Sequence, residues 1–221
     1  MKKLISNIAL FSLVALTFTA CKDGQKEVAT TDEKEVVAPT PEAVSYTVDV
    51  EKSVIKWKGD KPTGSHAGTI KIASGSVSVN GANLETGKFS IDMNSISDTD
   101  LEGEMKANLE AHLKGTVEGK EGDFFNVNKY PLASFVVTGV TGTEGETIVS
   151  GNLTIKEKTH NIEFPATIDY TDNGMSLVSK PFNIDRTKWG VNYGSKSIFD
   201  NLGDKFISDE IGLEIELHAN K

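Results

Sequence analysis

One cysteine in 221 residues, Cys21, excludes a disulfide framework within the chain. Catalytic signatures are also missing. There is no Gly-x-Ser-x-Gly elbow, no phosphate-binding loop and no dinucleotide fingerprint. The four histidines, His66, His112, His160 and His218, stand far apart and match no metal-ligand spacing, so no metal site is expected. No arranged base, orienter and nucleophile can be named, so catalytic residues are expected to be none and the chain is read as a non-enzyme. Glu102, Glu104 and Glu110 read as a solvated helix face, and Asp185 beside Arg186 as a structural ion pair or a strand-end contact. Positive charge is in deficit, with 23 Lys/Arg against 32 Asp/Glu and no basic cluster. That balance argues against nucleic acid as a partner and against adsorption to anionic lipid head groups. No internal repeat is visible, so propellers and solenoids drop out.

Long hydrophobic runs are missing apart from one. Leu4 to Thr19 is apolar but interrupted by Ser, Thr and Asn, and it follows the basic Met1-Lys2-Lys3. This is the layout of a signal peptide over residues 1–20, too short for a good spanning helix. Ala20 then places a small residue before Cys21, as in the cleavage site of bacterial lipoproteins, where the thiol is lipidated. The expected location is therefore the bacterial cell envelope, lipid-anchored, at the outer membrane facing the periplasm, with surface exposure left open. Acylation of Cys21 leaves the mature chain with no thiol for chemistry. Its stability must then come from a core, which the residues from Ser45 onward are numerous enough to form.

Residues 21–44 read as the lipidated cysteine and a flexible linker: charged, with Pro39 and Pro41 and no aromatic residue. As a coil, this segment would reach roughly 25 Å. From residue 45 to 221 the pattern turns to period two. Phe89, Ile91 and Met93 alternate with polar residues, as do Val149, Gly151, Leu153 and Ile155, then Ile162, Phe164, Ala166 and Ile168. The cleanest row is Ile211, Leu213, Ile215 and Leu217. Half-buried strands give this alternation. One stretch differs: Leu101, Met105, Leu109 and Leu113 recur every four residues, which predicts an amphipathic helix over about 100–114. Asp98 or Asp100 would cap it and Gly115 would end it. Many antiparallel strands with one helix point to a closed, all-β barrel, because closure removes exposed edges.

Several local motifs then carry a resemblance. Asp123-Phe124-Phe125-Asn126-Val127-Asn128-Lys129-Tyr130-Pro131 follows the helix, and Gly151-Asn152-Leu153-Thr154-Ile155 comes next, with Thr159 soon after. Phe182-Asn183-Ile184-Asp185-Arg186 leads to Trp189-Gly190, and Leu202-Gly203-Asp204 precedes the last strand. In this order they resemble the YceI family of polyisoprenoid-binding, lipocalin-like periplasmic proteins, over roughly Tyr46 to Ala219. The resemblance implies an extended eight-stranded antiparallel barrel whose apolar tunnel holds an isoprenoid chain, such as a quinone tail or polyprenyl lipid. The chain departs from the family pattern at Asn126, His160 and Lys188, which touch turns and strand ends.

The residues expected to touch such a ligand are Trp57, His66, Ile70, Phe89, Ile91, Met93, Phe124, Phe125, Phe135, Leu153, Ile155, Phe164, Phe182, Ile184 and Trp189. Burying a prenyl chain there gains on the order of 0.8 kcal/mol per carbon group. Phe124 and Phe125 could instead cork the barrel end, and Trp189-Gly190 reads as a corner. No cofactor is expected beyond the bound lipid, and a homodimer is left open. The alternative is a barrel filled by its own side chains, acting as an interaction module through the helix or the 142–145 loop. Inward aromatics would then be ordinary core.

Overall fold

The period-two rows close into a ring. The computed structural model describes residues 25–143 and 146–221, so the signal segment and Cys21 lie outside the described residues. In chain order the elements are β1 (Thr30–Thr31), β2 (Val44–Val48), β3 (Val54–Lys61), β4 (Gly64–Asn80), β5 (Asn83–Asp98) and α1 (Gly103–Lys114). After them come β6 (Leu132–Thr143), β7 (Glu146–Ile155), β8 (Lys158–Thr171), β9 (Gly174–Ser179), β10 (Phe182–Asp185) and β11 (Glu210–Asn220). Each of β3 to β8 pairs antiparallel with the next, β9 pairs β11, and β11 returns to β3. This is the expected eight-stranded barrel. β4 and β5 are long and bend through three register shifts, which supply local curvature.

Two wall positions are shared by short strands in series. Between β4 and β11, β3 is continued by β2, which pairs with both neighbours. Between β8 and β11, β9 fills one half only. In the other half β10 pairs β11 and β1 pairs β8, which leaves a seam between β10 and β1.

The seam is sealed by residues 26–28, which corrects the expectation of a free linker over 21–44. The Val28 N–H donates to the Asn183 carbonyl at 2.9 Å, and the Asn183 N–H donates to the Lys26 carbonyl at 3.1 Å. Val28 itself is buried in the core. Further along, the Lys34 backbone is bracketed by one side chain. Its N–H donates to Asn152 Oδ1 at 3.0 Å and its carbonyl accepts from Asn152 Nδ2 at 2.7 Å. The Asn152 amide thus imitates a strand edge. Lys34 Nζ pairs with Glu163 at 2.6 Å, and Thr40 donates to Glu85 from both N–H and hydroxyl, each at 2.7 Å. Residues 25–43 are a strap on the barrel wall. Composition did not reveal this because main-chain pairing leaves no side-chain period.

The hairpin end of the barrel is packed shut by Tyr46, Val48, Val77, Val79, Leu84 and Ala219, all buried. The Leu84 N–H donates to the Tyr170 hydroxyl there at 2.9 Å. The opposite end carries α1 and the long connection from β10 to β11. α1 starts later than predicted, with Glu102 at its cap and no side-chain cap bond, and it ends at Gly115 as expected. Asp98 instead holds the preceding turn, accepting from the N–H groups of Asp100 and Leu101 at 3.1 and 2.6 Å. The helix's apolar row is only partly used: Leu113 packs on the core, while Met105 is 67% exposed.

Glu110, expected on a solvated face, ties the helix to β5 by accepting from Ser97 Oγ and the Asp98 N–H at 3.0 and 2.9 Å. Burial opposes its charge, but these bonds and then Lys114 and Lys106 hold the carboxyl below its ordinary value. A carboxyl lowered by folding stabilises above its unfolded pKa of about 4.3 and loses that contribution as pH falls through the folded value. Wild type is therefore expected to melt above Glu110→Gln at pH 7, with the gap closing below about pH 4. Parallel pH profiles for the two proteins would contradict this.

Candidate functional site

Inside the ring lies an apolar cavity of about 180 Å³, running from Leu84 and Leu177 near the shut end to Leu113, Phe124, Phe125 and Trp189 under the helix. Protein interiors ordinarily pack to a density that leaves few voids larger than a water molecule. An engineered apolar cavity of about 150 Å³ stays dry and takes an aromatic guest. The interior here is hollow by that measure. Arg186, Ser208 and Glu210 are the polar side chains of the lining, all at the helix end.

Every residue expected to touch the ligand lies on this lining except His66. His66 sits on β4 opposite Gly59, at the rim, with its imidazole turned to Asp98 and Asp100. The register places the rest. Phe89, Phe135 and Leu153 stand directly across from one another on β5, β6 and β7. Ring contacts extend the row: Phe89 to Phe135 at 6.3 Å, Phe135 to Phe164 at 5.8 Å, and Phe164 stacked on Phe182 at 4.7 Å.

Two glycines make room for rings. A methyl at Gly151 would run into the Phe135 ring, and one at Gly68 would run into the Ser97 carbonyl and the Trp57 indole. Each aromatic can therefore lie flat along the wall instead of projecting across the cavity. Trp57 keeps a buried Nε1–H with no hydrogen-bond partner among the described residues, a donor available to a guest.

The helix end is built by clamps that sequence reasoning missed. His112 Nε2 meets Asp123 Oδ2 at 2.7 Å, and its ring packs edge-on against Phe124 at 5.0 Å and Tyr193 at 4.9 Å. Trp189 ends a 3-10 turn, Arg186–Trp189, and its Nε1 donates to the Leu153 carbonyl at 3.0 Å, so it is a corner that also lines the cavity. Arg186 is not the partner of Asp185. Its guanidinium donates to the carbonyls of Ser208, Val191 and Ile207 and lies 3.8 Å from Asp209. Burial pushes that guanidinium below its ordinary pKa, against the pull of Asp209 and Asp185. Asp185 caps the turn instead, accepting from the Thr187 N–H at 2.9 Å. Tyr193 belongs to no alternating row, so no signal in the sequence marked it, whereas Trp189-Gly190 and Leu202-Gly203-Asp204 in the same connection stood out as motifs.

Residues 46–219 match the YceI-like domain family. The crystal structure of BcnA from Burkholderia cenocepacia superposes with a TM-score of 0.60 at 24% identity, covering 78% of this chain and 99% of that one. A polyisoprenoid binding domain from Saccharophagus degradans, implicated in plant cell wall breakdown, superposes at 0.55 with 16% identity, covering 79% and 97%. At these identities the likeness is one of fold. No curated protein matches the chain in sequence.

Proposed function

The chain belongs to the YceI-like domain family, and from that premise we propose that it is an envelope binding protein whose barrel takes up the apolar chain of an isoprenoid lipid for carriage or storage. The observation that carries this reading is the hollow, apolar cavity that ends blind against the hairpin floor. An elongated apolar guest fits it better than a compact polar one, since the polar side chains stand at one end only. The signal-like residues 1–20 and Cys21 support secretion and lipid anchoring, which would put the cavity beside a membrane.

The void weighs against the second reading, a filled barrel acting as an interaction module. Binding is favoured over catalysis because Arg186 is committed to three backbone carbonyls and the Ser208 hydroxyl oxygen accepts from the Glu210 N–H at 3.2 Å.

The test is native mass spectrometry of the chain from Lys22 to Lys221, secreted to a bacterial periplasm, with lipid extraction from the same sample. A discrete prenyl-lipid adduct is expected. Ala133→Phe, which puts a ring into the void, is expected to keep the melting temperature and lose the adduct. A bare mass that persists after incubation with farnesyl- and octaprenyl-length alcohols would overturn the proposal.

A further inference from the structure

The geometry points to a divalent-cation site at the barrel rim, formed by His66 Nδ1, Asp98 Oδ2 and Asp100 Oδ2; we propose that it takes a first-row transition ion such as zinc. Asp98 is the last residue of β5 and is 0% exposed. Its Oδ1 is satisfied by two backbone N–H groups, those of Asp100 and Leu101. Its Oδ2 is buried and has no hydrogen-bond partner among the described residues, and neither has His66 Nδ1. A fully buried carboxylate oxygen without a partner is costly. Here that oxygen is aimed at the two other donors.

The imidazole nitrogen lies 4.0 Å from Asp98 Oδ2 and 3.4 Å from Asp100 Oδ2. All three donor atoms fall within 4.8 Å of one another. Zinc bonds to imidazole nitrogen and carboxylate oxygen are about 2.0–2.2 Å, so a 3.4 Å separation subtends a nearly tetrahedral angle of roughly 110°. A small inward movement of His66 would bring the 4.0 Å separation into the same range. A divalent ion balances both carboxylate charges and satisfies all three donors.

The frame is held from two sides. The Thr99 N–H donates to the Ala67 carbonyl at 2.9 Å, which locks the turn onto β4. The Asp98 N–H is tied to Glu110 on the helix. Asp100 remains 41% exposed, which leaves an open side where water completes the coordination, the pattern of three protein ligands plus solvent. A nitrogen-and-oxygen set without thiolate suits zinc or manganese more than a soft ion. This inference stands whether or not the barrel carries lipid.

The experiment is to strip the full chain with chelator, add excess zinc sulfate, desalt, and measure zinc per chain by elemental analysis, with titration calorimetry alongside. Retention of about one zinc per chain is expected, with a rise in melting temperature, because the ion binds the folded state. His66→Ala should lose that zinc. Asp100→Asn, on a partly exposed side chain, should weaken binding at least tenfold with an unchanged circular dichroism spectrum. No retained zinc would overturn the proposal. Equal retention by His66→Ala would overturn it too, placing the ion elsewhere, at Cys21 for example.

Discussion

A chain shortened to begin at Val44 melts about 5–10 °C below the chain that begins at Lys22. The shortening removes Val28 from the core and strips the backbone partners from the free edges of β10 and β8. Losing a buried valine alone is worth about 1.5–3 kcal/mol. For a domain of this size each kcal/mol moves the midpoint by about 2–4 °C. Thermal unfolding followed by circular dichroism reads the effect directly. A second readout is the rate at which a bound apolar guest leaves, which rises because the wall beside the cavity is open. Equal midpoints for the two chains would mean that residues 25–43 lie on the barrel without holding it.

Phe182→Ala lowers stability by about 3–5 kcal/mol, the usual range for deleting a buried aromatic ring. Phe182 on β10 is 1% exposed and stacks nearly parallel on Phe164 of β8, at 4.7 Å and 2°. The pair therefore bridges the same seam from the inside that the strap closes from the outside. The two changes share a structural element, so their combined effect is smaller than the sum, a coupling that a double-mutant cycle in urea measures. A loss under about 1 kcal/mol for Phe182→Ala would show that the ring is not packed as described.

The ring of strands was legible because one face of each is buried: Ile211, Leu213, Ile215 and Leu217 lie inward on β11 as their spacing requires, and all four line the cavity. The aromatic lining was legible for the same reason. What could not be read follows a different physics. The strap is held mainly by backbone groups and by one asparagine amide acting as a strand edge, and neither produces a hydrophobic period. Met105 fits a helical row yet stays exposed, because α1 lies over the barrel end and offers the core little more than Leu113. The rim cluster was invisible because register assembles it: Trp57 faces Gly68 and Gly68 faces Asp98 across three strands, so a histidine two residues from Gly68 meets carboxylates far away in the chain.

The packed floor of Tyr46, Val48, Val77, Val79 and Leu84 gives the cavity a bottom as well as a wall. Any flexible guest must then thread in tip first and back out along the same path. Depth of insertion becomes a yardstick: a molecule too short leaves unfilled space at the base, and one too long leaves its last segment outside. Selection by such a container works on contour length, and the end left at the rim is always the same end.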